Sequence, residues 1–480
     1  MTTTKSILQR VVKGIVAFAV LAPGSLPALA DDADVKRREQ AVTTIKRAAE
    51  FYRTRVASHG GYVYHYSLDL SQRWGEGEAS QNQIWVQPPG TPTVGLAYVA
   101  AYRATGDRYY LDAIEEVASA LIYGQLKSGG WTNCIDFDPT GARVAQYRNG
   151  RGSGKNNSSL DDGQTQTAIR FLIQADAAFE FKNSAIHEAT LLALDALLAA
   201  QFPSGGFPQV WSGPVSKQPI VQASYPKHDY RTEGRVKNYW DMPTLNDNVC
   251  VYVAHALRDA YHVYQEERYL HAIKKLGDFL LLAQMPDPQP AWAQQYNYQM
   301  QPIWARRFEP PAISGHESQS IVGLLIEIAE LTKDPKYLKT LPAAIAYLRR
   351  STLADGQIAR YYELETNRPL YMHRDGDEYS LTFDDSDLPA HYSWKTKSQV
   401  DRLQKQLDNF GKPTKPKKHS DQAVDQIIQE LDDQGRWVTT AKGDRLVGQA
   451  RLAPGEQFIS SAAFSENVTL LSEYLARYAR

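Results

Sequence analysis

The stretch Leu160-Asp161-Asp162-Gly163-Gln164-Thr165-Gln166-Thr167 runs straight into the apolar segment Ile169-Arg170-Phe171-Leu172-Ile173. Two carboxylates thus stand where a helix begins. There the first N–H groups lack intrahelical partners and the aligned peptide dipoles leave a positive end. Thr244-Leu245-Asn246-Asp247-Asn248, followed by Val249-Cys250-Val251-Tyr252-Val253, has the same design. So does Ser314-Gly315-His316-Glu317-Ser318 ahead of Ile321-Val322-Gly323-Leu324-Leu325. Ordinary N-capping accounts for each mouth taken singly. Their recurrence in register within a repeat suggests three acidic helix tips turned toward one place.

The repeat is legible on both sides of those mouths. Arg108-Tyr109-Tyr110-Leu111, Arg268-Tyr269-Leu270 and Lys336-Tyr337-Leu338 each follow a charged turn and open an apolar pattern of helical period. Segment 183–201 is a further copy without the tyrosine. The exits also match: Gln125 leads to Gly129-Gly130-Trp131, Gln201 to Gly205-Gly206-Phe207-Pro208, and Gln284 to Pro290-Ala291-Trp292. An apolar helix precedes each copy, at 94–105, 167–179, 247–264 and 319–331. The unit is therefore helix, short turn, helix, long loop, four times over. One such unit cannot bury its own apolar face, so neighbours must stack. An all-α fold follows, an (α/α) toroid of paired helices that gathers the inner-helix mouths and long loops on one face. Around 358–363 and 368–371 the chain reads as β-rich or extended. The expected division is a secretory signal peptide at 1–30, a helical extension at 31–90 and the toroid at 91–400. A Lys/Pro linker near 411–419 and closing helices fill 401–480.

The signal peptide rests on Lys5, Arg10 and Lys13, an apolar run at 15–21, and Ala28-Leu29-Ala30 with cleavage after Ala30. A secreted or periplasmic location follows. The net charge of −1 creates no global field to recruit nucleic acid or a membrane surface, and a monomer is expected. Cys134 and Cys250 could form one disulfide in an oxidising compartment. Phosphate-loop, nucleophile-elbow and metalloprotease motifs are absent from the sequence.

Five stretches, in order, resemble the family 10 polysaccharide lyases, pectate lyases of toroid fold. Leu160-Asp161-Asp162-Gly163-Gln164-Thr165 resembles the family's I-D-N-G-x-T, and the stretch from Gln201 to Gln209 its Q-Y-P-N-G-G-W-P-Q. Leu245-Asn246-Asp247-Asn248 resembles F-N-D-D. Trp304-Ala305-Arg306, with Ser314-Gly315-His316-Glu317-Ser318, resembles W-A-R and S-G-S-E-S. Ala359-Arg360-Tyr361-Tyr362-Glu363, Asn367-Arg368-Pro369 and Arg374-Asp375-Gly376 resemble A-R-F-Y-E, N-R-P and G-R-D-G. The chain departs at Asp162, where the family has asparagine, at Leu245 for phenylalanine, and at His373 for glycine. The resemblance implies a Ca²⁺-dependent lyase acting on polygalacturonate. In it Asp161, Asp162 and Asp247 would hold calcium, Arg374 would be the base, Arg306 and Arg360 would bind substrate carboxylates, and Asn246 would lie close to the sugar.

The residue types suit that chemistry. In a uronate polymer the proton to be removed sits beside a carboxylate, where its loss builds negative charge. Ca²⁺ is a hard cation served by carboxylate and substrate oxygens, and arginine grips carboxylates through a two-pronged fork. Arginine is a reluctant base, ordinarily protonated below about pH 12, so its use implies nearby cations, burial and an alkaline optimum. His373 and His316 are the other bases available. Two further functional classes fit the sequence: a toroidal glycoside hydrolase using a pair such as Asp247 and Glu317, and a non-catalytic binder of acidic polysaccharide.

Overall fold

The computed structural model describes residues 32–231, 236–413, 419–443 and 452–477. The expected signal peptide and most of the Lys/Pro stretch lie outside the described residues. Helix accounts for 46% and strand for 13%, and the described residues form no closed barrel. The helices are α1 (Asp32–Phe51), α2 (Thr91–Thr105), α3 (Arg108–Tyr123), α4 (Gln164–Ala178), α5 (Ser184–Ala199) and α6 (Val249–Tyr264). They continue with α7 (Glu267–Ala283), α8 (Gly315–Thr332), α9 (Leu341–Arg350), α10 (Val400–Asp408), α11 (Asp421–Glu430) and α12 (Ser461–Ala476). The four helix pairs fall where the repeat places them, and the fold is of the (α/α)-toroid class.

Local chemistry sets the pairs. The Asp107 carboxylate accepts from the Tyr109 N–H at the start of α3, and Asn183 accepts from the Ile186 N–H at the start of α5. Gly106, at φ 68, ends α2 in the left-handed conformation that glycine adopts freely. Tyr110, Ala113, Ile114, Val117 and Leu121 of α3 are buried at three- and four-residue spacing, the stripe that docks on α2. The repeated exits lock one unit to the next. The Gln125 amide donates to the carbonyls of Gly129 (3.0 Å) and of Ala189 in α5 (2.9 Å). Gln201 does the same to Gly205 (2.9 Å) and to Ala272 in α7 (2.9 Å). The indoles of Trp131 and Trp292 donate to Leu121 and Leu280 carbonyls, at 2.8 and 2.7 Å.

Helices α2, α4, α6 and α8 pack successively as the inner layer, backed by α3, α5, α7 and α9. The chain ends extend this arc. α12 packs on α2, α1 on α12, and α10 on α8. One hydrophobic cluster runs from Ala41 to Leu475, so the first and last segments share the core of the repeats. The segment before α2 is not purely helical: after α1 it forms short strands at His65–Ser67, Arg73–Trp74 and Gln83–Trp85. The first pairs with Gln457–Ser460 from the far end of the chain. The β-rich reading of the stretch after α9 agrees with the structure, which has an antiparallel hairpin of Pro369–Asp375 and Glu378–Thr382.

Cys134 and Cys250 are buried and unpaired, which settles against the disulfide that the sequence left open. Burial pushes both thiols up to about 12. Among the described residues no helix is long and apolar enough to cross a membrane.

Candidate active site

Two of the three helix mouths are one device. Asp161-Asp162-Gly163 and Asn246-Asp247-Asn248 are single 3₁₀ turns leading into α4 and α6. In both, the second and third residues are left-handed: Asp162 at φ 44 and Gly163 at φ 74, Asp247 at φ 49 and Asn248 at φ 57. Two consecutive left-handed residues store strain in any side chain other than glycine, of order 1–3 kcal/mol for each residue so held. Neither Asp162 nor Asp247 caps its helix; the side chains are turned to other partners. The third mouth differs. Ser314 caps α8 by accepting from the Glu317 N–H, and its hydroxyl donates back to the Glu317 carboxylate. The reading of three equivalent acidic tips therefore reduces to two, because Glu317 is consumed by its own helix.

The two matching turns pack against each other. Asp161 Oδ1 accepts from Gln209 Nε2 at 2.7 Å, and Asp162 Oδ2 from Gln87 Nε2 at 2.9 Å. Asp247 Oδ2 accepts from Asn246 Nδ2 at 2.6 Å. Asp162 keeps one face open to solvent, yet protein crowds its carboxyl. Loss of water, then repulsion from Asp161 and Glu76, pushes it up to about 6. Burial foremost, then Asp162 and Asp161, raises Asp247 well above the usual carboxylate range. Like charges are thus assembled in a crowded setting, and Arg306 and Arg360 offset them only in part. The Asn246 Oδ1 is buried and without a hydrogen-bond partner.

Two arginines supply the opposite charge. Arg360, with a side chain 7% exposed, places a guanidinium nitrogen 3.3 Å from Glu317 and 4.0 Å from Asp247, over the Tyr392 ring at 4.2 Å. Arg306 binds Glu309 at 2.6 Å and lies 5.6 Å from the same ring. Tyr392 donates to Glu309 at 2.8 Å. Burial works against the charge on both arginines, but Glu309 beside Arg306 and Glu317 beside Arg360 outweigh it and hold both cationic.

Arg374 is elsewhere. It sits near the tip of the hairpin, 41% exposed, with Nε donating to the Gly376 carbonyl at 2.7 Å and an ion pair to Asp377 at 3.6 Å. Among the described residues no hydrogen bond or ion pair joins it to Asp161, Asp162 or Asp247. It reaches the Arg306 loop only indirectly. It lies 5.5 Å from the Tyr379 ring, which is 5.5 Å from Phe308, which lies 5.0 Å from Arg306. Arg307 also donates to the Asp377 carbonyl at 3.2 Å. The hairpin is thereby strapped to the rim of the site.

Glu317 is wholly buried and committed to Ser314 and Arg360. It offers no acid or base beside Asp247, and the hydrolase pairing loses its second carboxylate. Sequence reasoning missed Glu76, Gln87, Gln209, Glu309 and Tyr392. Gln209 and Glu309 carried a signal, the one closing a quoted motif and the other lying three residues past Arg306. Glu76, Gln87 and Tyr392 carried none.

All the donors around the three aspartates are oxygens or amides, a set suited to a hard cation. Among the described residues no group of three or more His, Cys, Asp or Glu side chains converges closely enough to hold a metal by itself. Water or substrate oxygens would have to complete any such shell.

Residues 125–360 match the family model described as pectic acid lyase. That span includes Asp161, Asp162, Asn246, Asp247, Arg306 and Arg360, and stops short of Arg374. Similar solved structures include a family 10 polysaccharide lyase from Cellvibrio cellulosa, a mutant in complex with trigalaturonic acid. It is 21% identical, with a TM-score of 0.46 over 66% of this chain and 98% of that one. A cellobiose 2-epimerase from Spirochaeta thermophila is 14% identical, TM-score 0.46, over 95% of this chain and all 100% of that one. A family 76 glycoside hydrolase from a bovine Bacteroides thetaiotaomicron strain is 11% identical, TM-score 0.45, over 93% and 79%. No curated protein matches the chain.

Proposed function

We propose that this chain, a polysaccharide lyase by the family its residues 125–360 match, cleaves polygalacturonate by calcium-dependent β-elimination with an arginine base. The observation that carries the reading is the pair of strained turns. They set Asp161, Asp162 and Asp247 together, across from two guanidinium groups held cationic. A protein gains nothing in stability from crowding Asp162 and Asp247 until they hold their protons more tightly, so such crowding marks a functional site.

In this reading Arg306 and Arg360 grip uronate carboxylates through charge-assisted hydrogen bonds. Both are pre-oriented by buried partners, so little ordering remains when substrate binds. Asp161, Asp162 and Asp247 would hold Ca²⁺, which when bound withdraws charge from the substrate carboxylate and acidifies the proton beside it. The base takes that proton from the carbon bearing the carboxylate. The electron pair forms a double bond to the neighbouring ring carbon, whose bond to the glycosidic oxygen breaks. That oxygen leaves and is protonated, giving one new chain end and one unsaturated end. Asn246, buried beside Asp247, fixes its neighbour's carboxylate at the sugar.

The base is Arg374 if the hairpin folds inward over bound polymer. Glu309 holds Arg306 protonated, and an anionic substrate reinforces that charge, so Arg306 serves as a carboxylate clamp and not as the base. The chain would act as a monomer in the periplasm or outside the cell. The experiment is ultraviolet absorbance of the conjugated uronate product on polygalacturonate, with calcium and with chelator. Reducing ends without that absorbance would indicate hydrolysis, and binding without product a carbohydrate-binding protein. Full activity in excess chelator would remove calcium from the account.

A further inference from the structure

We propose that Glu76 and Gln87, from the segment ahead of the first helix pair, are positioning residues of the calcium site. The inference rests on the calcium reading above. Both residues lie outside the span that matches the pectic acid lyase model, and before the repeats begin.

The geometry is specific. Gln87 is 3% exposed, and its one amide nitrogen donates to two carboxylates, Glu76 Oε1 at 3.0 Å and Asp162 Oδ2 at 2.9 Å. Its own oxygen accepts from Gln164 Nε2, at the first residue of α4, at 3.4 Å. The other Glu76 oxygen accepts from Asn133 Nδ2 at 3.0 Å. Both N–H groups of a buried amide are thus spent on acidic oxygens, and the amide is itself held from behind.

The effect is to fix one oxygen of Asp162. Gln209 does the same for Asp161 from the opposite side, using Oδ1. Each adjacent aspartate has one oxygen tied by a glutamine and the other left for a ligand. Carboxylates that ligate metals are commonly oriented this way, and losing such a partner costs 10–100-fold in affinity. Glu76 adds a negative charge behind the bridge, which favours a cation at Asp162 without itself touching it.

The local backbone is built to bring Glu76 in. Gly75 closes a turn whose N–H donates to the Gly77 carbonyl at 2.9 Å. A Cβ on Gly75 would fall 2.0 Å from the buried Trp85 ring. Only glycine allows the turn to lie flat on Trp85, two residues before Gln87. The tight turn lays Glu76's backbone against Trp85, and the strand ending at Trp85 leads on to Gln87.

The test is calorimetric titration of the chelator-stripped full chain with calcium chloride, for wild type, Glu76→Gln, Gln87→Leu and Asp247→Ala. Glu76 is exposed, so Glu76→Gln keeps the fold and changes mainly the charge; Gln87→Leu removes the bridge. Melting curves in chelator report folding separately. The expected result is calcium binding by wild type, loss of it in Asp247→Ala, and a dissociation constant weakened about tenfold or more in Glu76→Gln with an unchanged chelated melting curve. Restoration toward the wild-type constant in Glu76→Asp would support the charge role. Wild-type affinity in Glu76→Gln, with binding lost in Asp247→Ala, overturns the inference and leaves the calcium reading standing. Absence of calcium binding by wild type overturns both.

Discussion

Arg374→Lys is the substitution that discriminates most. Arg374 is 41% exposed and its ion-pair partner Asp377 is 93% exposed, so the pair contributes at most about 1 kcal/mol. Lysine keeps the charge beside Asp377 and loses the planar fork that reaches the Gly376 carbonyl. Folding should be almost untouched, with the melting temperature close to wild type. Whatever activity is lost then reports chemistry. A positioned general base contributes about 10²–10⁴ in rate, and at 1.36 kcal/mol per factor of ten that is about 2.7–5.4 kcal/mol of barrier.

The assay is the initial rate of unsaturated product from polygalacturonate at saturating calcium, followed against pH for wild type, Arg374→Lys, Arg306→Lys and His373→Ala. With Arg374 as base, kcat of Arg374→Lys falls at least a hundredfold while KM changes little, because Arg306 and Arg360 still hold the polymer. The wild-type rate should climb into the alkaline range, as for any base of high affinity for protons. Wild-type kcat in Arg374→Lys would refute the assignment, whatever Arg306→Lys does to substrate binding. A rise near neutrality that vanishes in His373→Ala would give it to the imidazole.

Three other outcomes are expected. Asp162 is pushed up to about 6 and Asp247 is raised well above the usual carboxylate range, both chiefly by loss of water. A carboxyl with a raised folded pKa binds its proton more tightly folded than unfolded, so this stabilisation is full in acid and is lost as pH rises through about 6. Calcium needs the ionised forms, so it should raise the melting temperature more at about pH 8 than at about pH 5; an equal or larger rise in acid would contradict the site. Gly205→Ala should destabilise by about 1–3 kcal/mol in denaturant titration, because Gly205 has φ +102 and a Cβ there would lie 1.9 Å from the Lys275 carbonyl oxygen. Cys134 and Cys250, buried with thiols up at about 12, should react with a thiol reagent only after unfolding; prompt native labelling would contradict their packing.

The repeat was readable because its signals are local. Helical apolar spacing, the charged turns before Tyr110, Tyr269 and Tyr337, and the Gln-to-aromatic exits each lie within a few residues of what they specify. The exits proved to have a mechanism, since Gln125 and Gln201 each donate one bond to the exit loop's own glycine and one to the next outer helix. The site was only half legible. Asp161, Asp162 and Asp247 stood out as acidic helix mouths, but left-handed pairs cannot be told from N-caps by composition. Glu317 shares the pattern and became a buried cap instead. Glu76 and Gln87 could not be found, because their role depends on the segment from Tyr62 to Trp85 folding back over the first two inner helices.

That fold-back also explains why the strained turns persist. Asp162 in the first turn, and Asp247 and Asn248 in the second, are held left-handed against their own preference, so packing around each turn must over-determine it. Gly163 is pinned beneath Tyr252 of α6, whose ring would lie 3.3 Å from a Cβ there. Leu160 and Leu245, wholly buried just before each turn, anchor the entries. Gln87 and Gln209 hold the first turn from two sides, and Asn246 with Arg360 holds the second. The carboxylates therefore cannot relax apart to relieve their repulsion. The strain at Asp162, Asp247 and Asn248 and the repulsion among the carboxylates are thereby retained in the folded chain, where the proposed calcium ion would find its oxygen ligands.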